Sequence, residues 1–202
     1  MDTFTHIETA DVERIAVLRA LFLGDLLCAT PALRALEQAF PRAEVTLIGL
    51  PWAATLVERL PYLDRFVAFP GYPGIREVAY DQERTAAFFT DMRAQRFDLA
   101  FQMHGDGRST NGFVAQLGAA RTIGFARPGD TRLDIWAAYA PEEHETLRWL
   151  RSLALPIWCV ALAAAIRPHW SITTAPPMSL SQRHGTSRLA SRRSRQWPVR
   201  AR

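Results

Sequence analysis

The sequence predicts an α/β protein with a Rossmann-like, doubly wound parallel sheet, followed by an irregular or disordered basic tail. Three observations predict it. Short apolar, β-branched runs alternate with amphipathic helical stretches from residue 14 to about residue 151, and strands separated by crossover helices pair in parallel with right-handed connections. The first run ends near a Gly-Asp pair, Gly24 and Asp25, where open α/β sheets bind ligands. Charge is also divided along the chain. Residues 1–150 hold 15 Arg and all 20 acidic residues, a net of −5, whereas residues 151–202 hold 9 Arg and no acid.

The elements follow in order. Ile15–Leu21 is a buried strand. The helix after it has two readings. It begins at Thr30 and Pro31, an N-cap and N1 pair, with Leu33, Leu36 and Phe40 on one face, or it begins at Asp25 and is kinked by Pro31. Glu44–Leu50 is a second strand, and Pro51 opens a helix carrying Trp52, Leu56 and Leu60 at i, i+4 and i+8. Asp64–Phe69 is a third strand and Gly71–Gly74 a loop. A helix over about Asp81–Gln95 places Thr85, Phe88, Phe89 and Met92 on one stripe. Phe97–Met103 is a fourth strand, Ser109–Leu117 a short helix and Arg121–Phe125 a fifth strand. A polar loop from Arg127 to Asp134 then leads to Ile135–Tyr139 and a helix over Glu142–Leu153.

With 202 residues, 49% of them hydrophobic, the chain suits one generous domain or two small ones with an ample core. Cys28 and Cys159 lie in apolar contexts without metal or redox spacing. His6, His144, His169 and His184 form no ligand set with them, so no metal site is expected. No G-x-G-x-x-G follows the first strand, which excludes the dinucleotide fingerprint. Residues 1–13 form an N-terminal extension with neither a basic region nor an apolar core, unlike a secretory signal or transit peptide. The expected location is cytoplasmic, with peripheral attachment at the inner face of the membrane as an option.

The string LGDLLCATPALRALEQAFPRAEVTLIG, Leu23–Gly49, resembles the opening of glycosyltransferase family 9, the heptosyltransferases of bacterial lipopolysaccharide synthesis. The shared parts are the Gly-Asp pair, the apolar pair, the Thr-Pro step and a helix ending in Phe-Pro before the second strand. The likeness continues through RFDLAFQMHGDGRSTNGFVAQLGAARTIGF, Arg96–Phe125, and covers about the first 150 residues. The resemblance implies the N-terminal half of a GT-B fold over residues 14–151, which holds the sugar acceptor and the catalytic base. A second domain would bind a nucleotide-diphosphate sugar as donor substrate, with no cofactor. The implied reaction is inverting transfer of a heptose-like sugar to a lipopolysaccharide or related glycan acceptor.

Such a transfer needs a base to deprotonate the attacking hydroxyl, and the resemblance puts Asp25 in that role. Read from the residues alone, Asp25 is equally an ordinary Asp at a helix N-terminus. Gly24 allows either close approach of a substrate or a strand-end turn, and Thr30 serves as a ligand or, more simply, as a cap. His104, Asp106, Arg108, Ser109 and Asn111 follow the fourth strand at the same edge of the sheet and are candidates to line an acceptor pocket. Arg108, Arg127 and Arg132 are the local cations for an acidic or phosphorylated acceptor. The expected partner is a glycan or lipid-linked saccharide acceptor.

Residues 152–202 do not read as the donor half. Leu153–Ile166 is a run of 14 apolar residues, short of the ~20 a membrane span needs and interrupted by Pro156. From Arg167 onward Arg, Ser, Pro, Thr and Trp dominate without acid or apolar period, which cannot bury a core. All 24 basic residues are Arg, which suggests G- and C-rich coding DNA. The expectation is a non-homologous tail from a frameshifted or degraded gene, and a chain that is inactive alone unless a separate chain carries the donor domain. The alternative is a non-catalytic module binding saccharide, or nucleic acid through its tail. Trp158, Trp170 and Trp197 are too scattered for a stacking motif, so nucleic acid is not the expected partner.

Overall fold

The computed structural model describes residues 11–153. Six strands, β1 (Arg14–Leu18), β2 (Glu44–Gly49), β3 (Arg65–Ala68), β4 (Leu99–Gln102), β5 (Arg121–Ala126) and β6 (Ile135–Ala138), form one sheet. Five helices accompany them: α1 (Leu23–Ala39), α2 (Ala54–Val57, entered through a 3₁₀ turn at Pro51–Ala53), α3 (Gln82–Ala94), α4 (Thr110–Ala115) and α5 (Glu145–Leu153). The order is β3-β2-β1-β4-β5-β6, with every pair parallel. The expected doubly wound α/β class is therefore observed. The connectivity reverses between β1 and β4, and the C-terminal ends of those two strands mark the switch point at which open α/β sheets bind ligands.

Both faces of the sheet are covered because its strands alternate apolar residues on both sides. Ile15, Val17, Val45, Leu47, Leu99, Phe101, Ile123 and Phe125 pack with Leu26, Leu33 and Leu36 of α1 and with Trp149 and Leu153 of α5. On the opposite face Ala16, Leu18, Ile48 and Ala100 meet Phe89 and Met92 of α3 and Phe113, Val114 and Leu117 around α4. Phe113 sits at the centre of an aromatic group with Phe69, Tyr72, Phe88 and Phe89, its ring 5.0–5.6 Å from theirs. Tilted and edge contacts of this kind add roughly 0.5–1.5 kcal/mol per pair beyond burial.

Two sequence expectations are corrected. Helix α1 begins at Leu23, seven residues before Thr30, so Thr30 is an interior residue and not a cap; its hydroxyl lies 3.4 Å from the Leu26 carbonyl. Pro31 stands inside the helix, closer to the second reading than to the first. It is tolerated because Pro31 and Leu27 lie on the exposed stripe, where water can satisfy the carbonyl that proline's missing N–H leaves free. The helix expected from Pro51 shortens to a 3₁₀ turn and four α-helical residues. The stripe on α3 is as expected, capped by Asp81, whose carboxylate accepts from the Arg84 amide at 2.8 Å.

The two edges of the sheet are built differently. At the N-terminal edge, the aspartate just before a strand accepts from the first amides of its neighbour. Asp64 takes the Val45 amide at 2.9 Å, and Asp98 takes those of Glu13 and Arg14 at 2.8 and 2.9 Å. Asp134 takes the Thr122 amide and hydroxyl, both at 2.7 Å. Replacing Asp98 by Ala is expected to cost about 1–2 kcal/mol through two lost charge-assisted bonds at a partly solvated site. Hydrogen exchange at the Glu13 and Arg14 amides, measured against urea stability, checks it; unchanged protection there would count against this role.

Candidate functional site at the switch point

The C-terminal edge of the sheet is organised by Arg19, which the motifs around its apolar run do not single out. Arg19 directly follows β1 and its side chain is fully buried. Its guanidinium donates to the Asp25 carbonyl at 2.6 and 3.2 Å, to the Met103 carbonyl at 2.6 Å and to Glu145 Oε1 at 2.5 Å. It also lies 4.9 Å from the centre of the Trp149 ring. A single cation thus joins the first turn of α1, the end of β4 and the start of α5. Burial pushes the Glu145 carboxyl up, but Arg19, Trp149 and Arg148 outweigh that and hold it below the usual carboxylate range. A signal for Arg19 was present: a charge inside an apolar strand run must be paired when buried.

Asp25 stands in the first turn of α1, half-buried. Its Oδ2 accepts from the Phe22 amide at 3.1 Å, satisfying one of the orphan donors at the helix start. A carboxylate has about four acceptor positions, and Oδ1 has no hydrogen-bond partner among the described residues. Gly24 is exposed, and a Cβ built on it meets nothing within 4 Å. No turn requires glycine there, so its contribution is open space beside Asp25.

The segment after β4 forms the facing wall. Gln102, fully buried, donates from Nε2 to the His104 carbonyl at 2.6 Å and to the Thr110 hydroxyl at 2.6 Å. The Thr110 hydroxyl donates to the same His104 carbonyl at 2.9 Å. Gly107 has φ +85°, and a Cβ there would lie 2.4 Å from the Phe125 carbonyl, so only glycine fits. The loop is thereby fixed on both sides of His104. Asn111 is spent on structure: fully buried, it donates to the Phe125 carbonyl at 3.0 Å and to Asp130 at 2.9 Å.

This loop and the segment before α3 enclose a cleft of about 490 Å³ lined by Arg76, Glu77, His104, Arg108, Ser109 and Thr110, among others. His104 is 8% exposed, and its Nδ1 is buried without a hydrogen-bond partner among the described residues. Arg76 and Arg108 are exposed and form no ion pair among the described residues, whereas Arg127 is held by Asp106 and Arg132 by Asp130. The free positive charge at this edge therefore belongs to Arg76 and Arg108. Of the three cations expected from the sequence, only Arg108 is available.

Burial lowers the His104 pKa to about 4, opposed by Glu77 and reinforced by Arg19. The imidazole is neutral near pH 7. The unfolded chain, with an ordinary histidine near 6.5, takes up this proton first as pH falls, so stability is full above about 6.5 and declines towards 4. The expected loss across that window is about 3 kcal/mol. Urea midpoints measured from pH 7 to 4 check it, and His104→Gln should flatten the curve. The depressed carboxylates of Glu145, Asp106 and Asp130 act in a separate range, losing their contribution only as pH falls below about 4.

The fold of the described residues has counterparts among known structures. A family 9 glycosyltransferase from Veillonella parvula DSM 2008 superposes with a TM-score of 0.59 at 20% identity, over 74% of this chain and 43% of that one. The E. coli heptosyltransferase WaaC, solved with ADP, gives 0.54 at 18% identity, over 70% and 46%. E. coli ADP-heptose lps heptosyltransferase II gives 0.52 at 17% identity, over 68% and 39%. The described residues share the α/β fold of part of these glycosyltransferases. The chain spans less than half the length of each of these structures. No protein-family model matches the sequence, and no curated protein matches it significantly.

Within this fold the candidate residues fall into two groups. Gly24 and Asp25 lie at the start of α1, and His104, Arg108 and Ser109 lie on the wall of the cleft, with Arg19 bridging the two groups through the Asp25 and Met103 carbonyls. Thr30 and Asn111 are not brought to an open surface of the cleft. Thr30 is five residues along α1 from Asp25, about 7 Å along the axis, and Asn111 is buried. The tail after Leu153, with Cys159, Trp158, Trp170, Trp197, His169 and His184, lies outside the described residues, as do residues 1–10 with His6. Among the described residues, no helix is long and apolar enough to cross a membrane.

Proposed function

We propose that residues 14–153 form the acceptor-binding half of a glycosyltransferase of the heptosyltransferase type, with Asp25 as the base that takes the proton of the attacking acceptor hydroxyl. The observation that carries this reading is the joint anchoring of Asp25 and the cleft loop. One buried guanidinium holds the Asp25 and Met103 carbonyls, so the carboxylate and the wall containing His104 keep a fixed relation. Fixed geometry is what general-base catalysis requires of a single carboxylate. Oδ2 remains on the Phe22 amide while Oδ1 is open to the hydroxyl proton. His104, Ser109, Arg76 and Arg108 supply neutral and cationic groups for a saccharide. The structural neighbours named for heptosyl transfer and for ADP support the substrate class: a nucleotide-diphosphate sugar as donor, and a glycan of lipopolysaccharide type as acceptor. The donor-binding half is not among the described residues.

Titrating the 15N-labelled chain with delipidated lipopolysaccharide core oligosaccharide tests the acceptor role. The amides of Gly105, Arg108, Ser109 and Thr110 are expected to shift with saturation. An oligosaccharide that leaves all four unmoved removes the reading.

A further inference from the structure

Among the described residues, large apolar side chains with no part in the cleft gather where α1 and α5 begin. Phe22, Leu23 and Leu27 at the start of α1, and Leu147 at the start of α5, are each more than half exposed. The two helices pack side by side on one face of the sheet. Arg19 bonds both of their first turns, through the Asp25 carbonyl and the Glu145 carboxylate, so the four side chains lie at the same end of this helix pair. The exposed stripe of α1 continues through Pro31. Apolar residues scattered singly over a surface need no explanation, but several large ones gathered on one face mark a surface that something else covers.

The chain itself carries a matching segment. Helix α5 ends at Leu153, which is fully buried, and the next 13 residues, 154–166, are apolar and carry no charge. Leu147 is six residues back from Leu153, about 9 Å along the helix axis, and 13 residues cover that distance whether extended or helical. Handedness argues against the other use of an apolar run, a further parallel strand beyond β6. Helix α5 lies on the same face as α1 and α2, and a right-handed crossover on that face, as in β1-α1-β2 and β2-α2-β3, leads away from the β6 edge. Other occupants of the exposed face fit less well. Glu142 and Glu143 precede α5 and Asp25 stands in the first turn of α1, an acidic border that opposes an anionic membrane surface. A second copy would compete with a segment tethered to the same helix, whose effective concentration is of roughly millimolar order.

We propose that residues 154–166 fold back over the start of α1 and α5 and cover Phe22, Leu23, Leu27 and Leu147, so that the partner of this apolar face is a segment of the same chain. The inference is independent of the acceptor-binding reading above.

Two thiols already mark the two surfaces. Cys28 follows Leu27 on α1, Cys159 lies within residues 154–166, and the chain holds no other cysteine. In the full 202-residue chain, kept dilute, a short bismaleimide is expected to join Cys28 to Cys159 within one molecule, as read by mass spectrometry of proteolytic fragments. Cys28 is half-buried, so a second protein, with Cys28→Ser and Leu27→Cys, moves the thiol to the exposed position beside it and should cross-link as well. Leu23→Glu combined with Leu147→Glu puts charge into the face at two exposed positions. That change should slow the cross-link at least tenfold in both proteins while leaving the circular dichroism of the body unchanged. Cross-links formed between molecules, no cross-link in either protein, or a rate that the two glutamates leave unaltered would each overturn the proposal.

Discussion

Replacing Asp25 by Asn is expected to lower sugar transfer by about 10²–10⁴-fold, the usual contribution of a positioned general base. The setting is a transferase in which this body is joined to the donor-binding half of one of the matched structures. Asn is the informative replacement because the geometry separates two roles of the carboxylate. Its amide oxygen can still accept from the Phe22 amide, so the start of α1 keeps its cap. Stability should therefore stay within about 0.5 kcal/mol of the parent. Single-turnover rates, compared with urea midpoints on the same proteins, read both quantities. A variant that folds normally and transfers sugar at the parental rate would exclude Asp25 as the base, whatever its position at the switch point. A loss of rate that merely tracks a loss of stability would assign the residue to the helix cap alone.

Replacing Arg19 by Met is expected to destabilise the body by about 3–5 kcal/mol, the range for breaking a buried ion pair from one side. That is a large fraction of the roughly 5–15 kcal/mol by which a domain of this kind is stable. Three acceptors lose their donor at once: the carbonyls of Asp25 and Met103 and the carboxylate of Glu145. The Glu145 side chain is 31% exposed, so water recovers part of its loss and the lower end of the range is favoured. Two further variants separate the contributions. In Arg19→Met combined with Glu145→Gln, removal of the stranded charge should restore part of the stability. Arg19→Lys should fall well short of the parent, because an ammonium is a point charge and cannot span three acceptors with a planar fork. Chemical denaturation reads all three, and a loss below about 1 kcal/mol for Arg19→Met would show the cluster to be incidental.

How much of this could be read from the residues depends on the range of the interaction involved. The six strands and the helices α3, α4 and α5 are set by local apolar period and turn chemistry, and their expected positions agree with the structure to within a few residues. Of the two starts open for α1, Thr30-Pro31 is the stronger local signal, yet the start at Asp25 with Pro31 inside the helix is the one close to the observed Leu23. What overrides it is tertiary: Leu26, Ala29, Leu33 and Leu36 bury one continuous face, so the helix extends upstream and accepts a proline on its wet side. At the site, Asp25 and the segment after β4 were legible because both follow strands that topology brings to the same edge. Arg19 and Gln102 were not recognised, since their importance lies in partners 84 residues away for Arg19 and Met103, and in a buried turn for Gln102. Asn111 looked like a pocket residue from its polarity and place in the loop, yet it is fully buried and its amide nitrogen donates to Phe125 and Asp130. Sequence position brought it to the right edge, and burial decided its use.

The aspartates that precede β3, β4 and β6 set three side-chain anchors of the sheet at the edge away from the cleft. Each ties its strand to a neighbour by naming one amide, Val45, Arg14 or Thr122. In a parallel sheet a slip of one residue would turn every buried side chain to the opposite face. Exposed positions around Asp25 and His104, such as Gly24, Arg76 and Arg108, take no part in these three anchors. Substitution at those exposed positions is expected to leave the three aspartate anchors, and with them the register of the strands, intact.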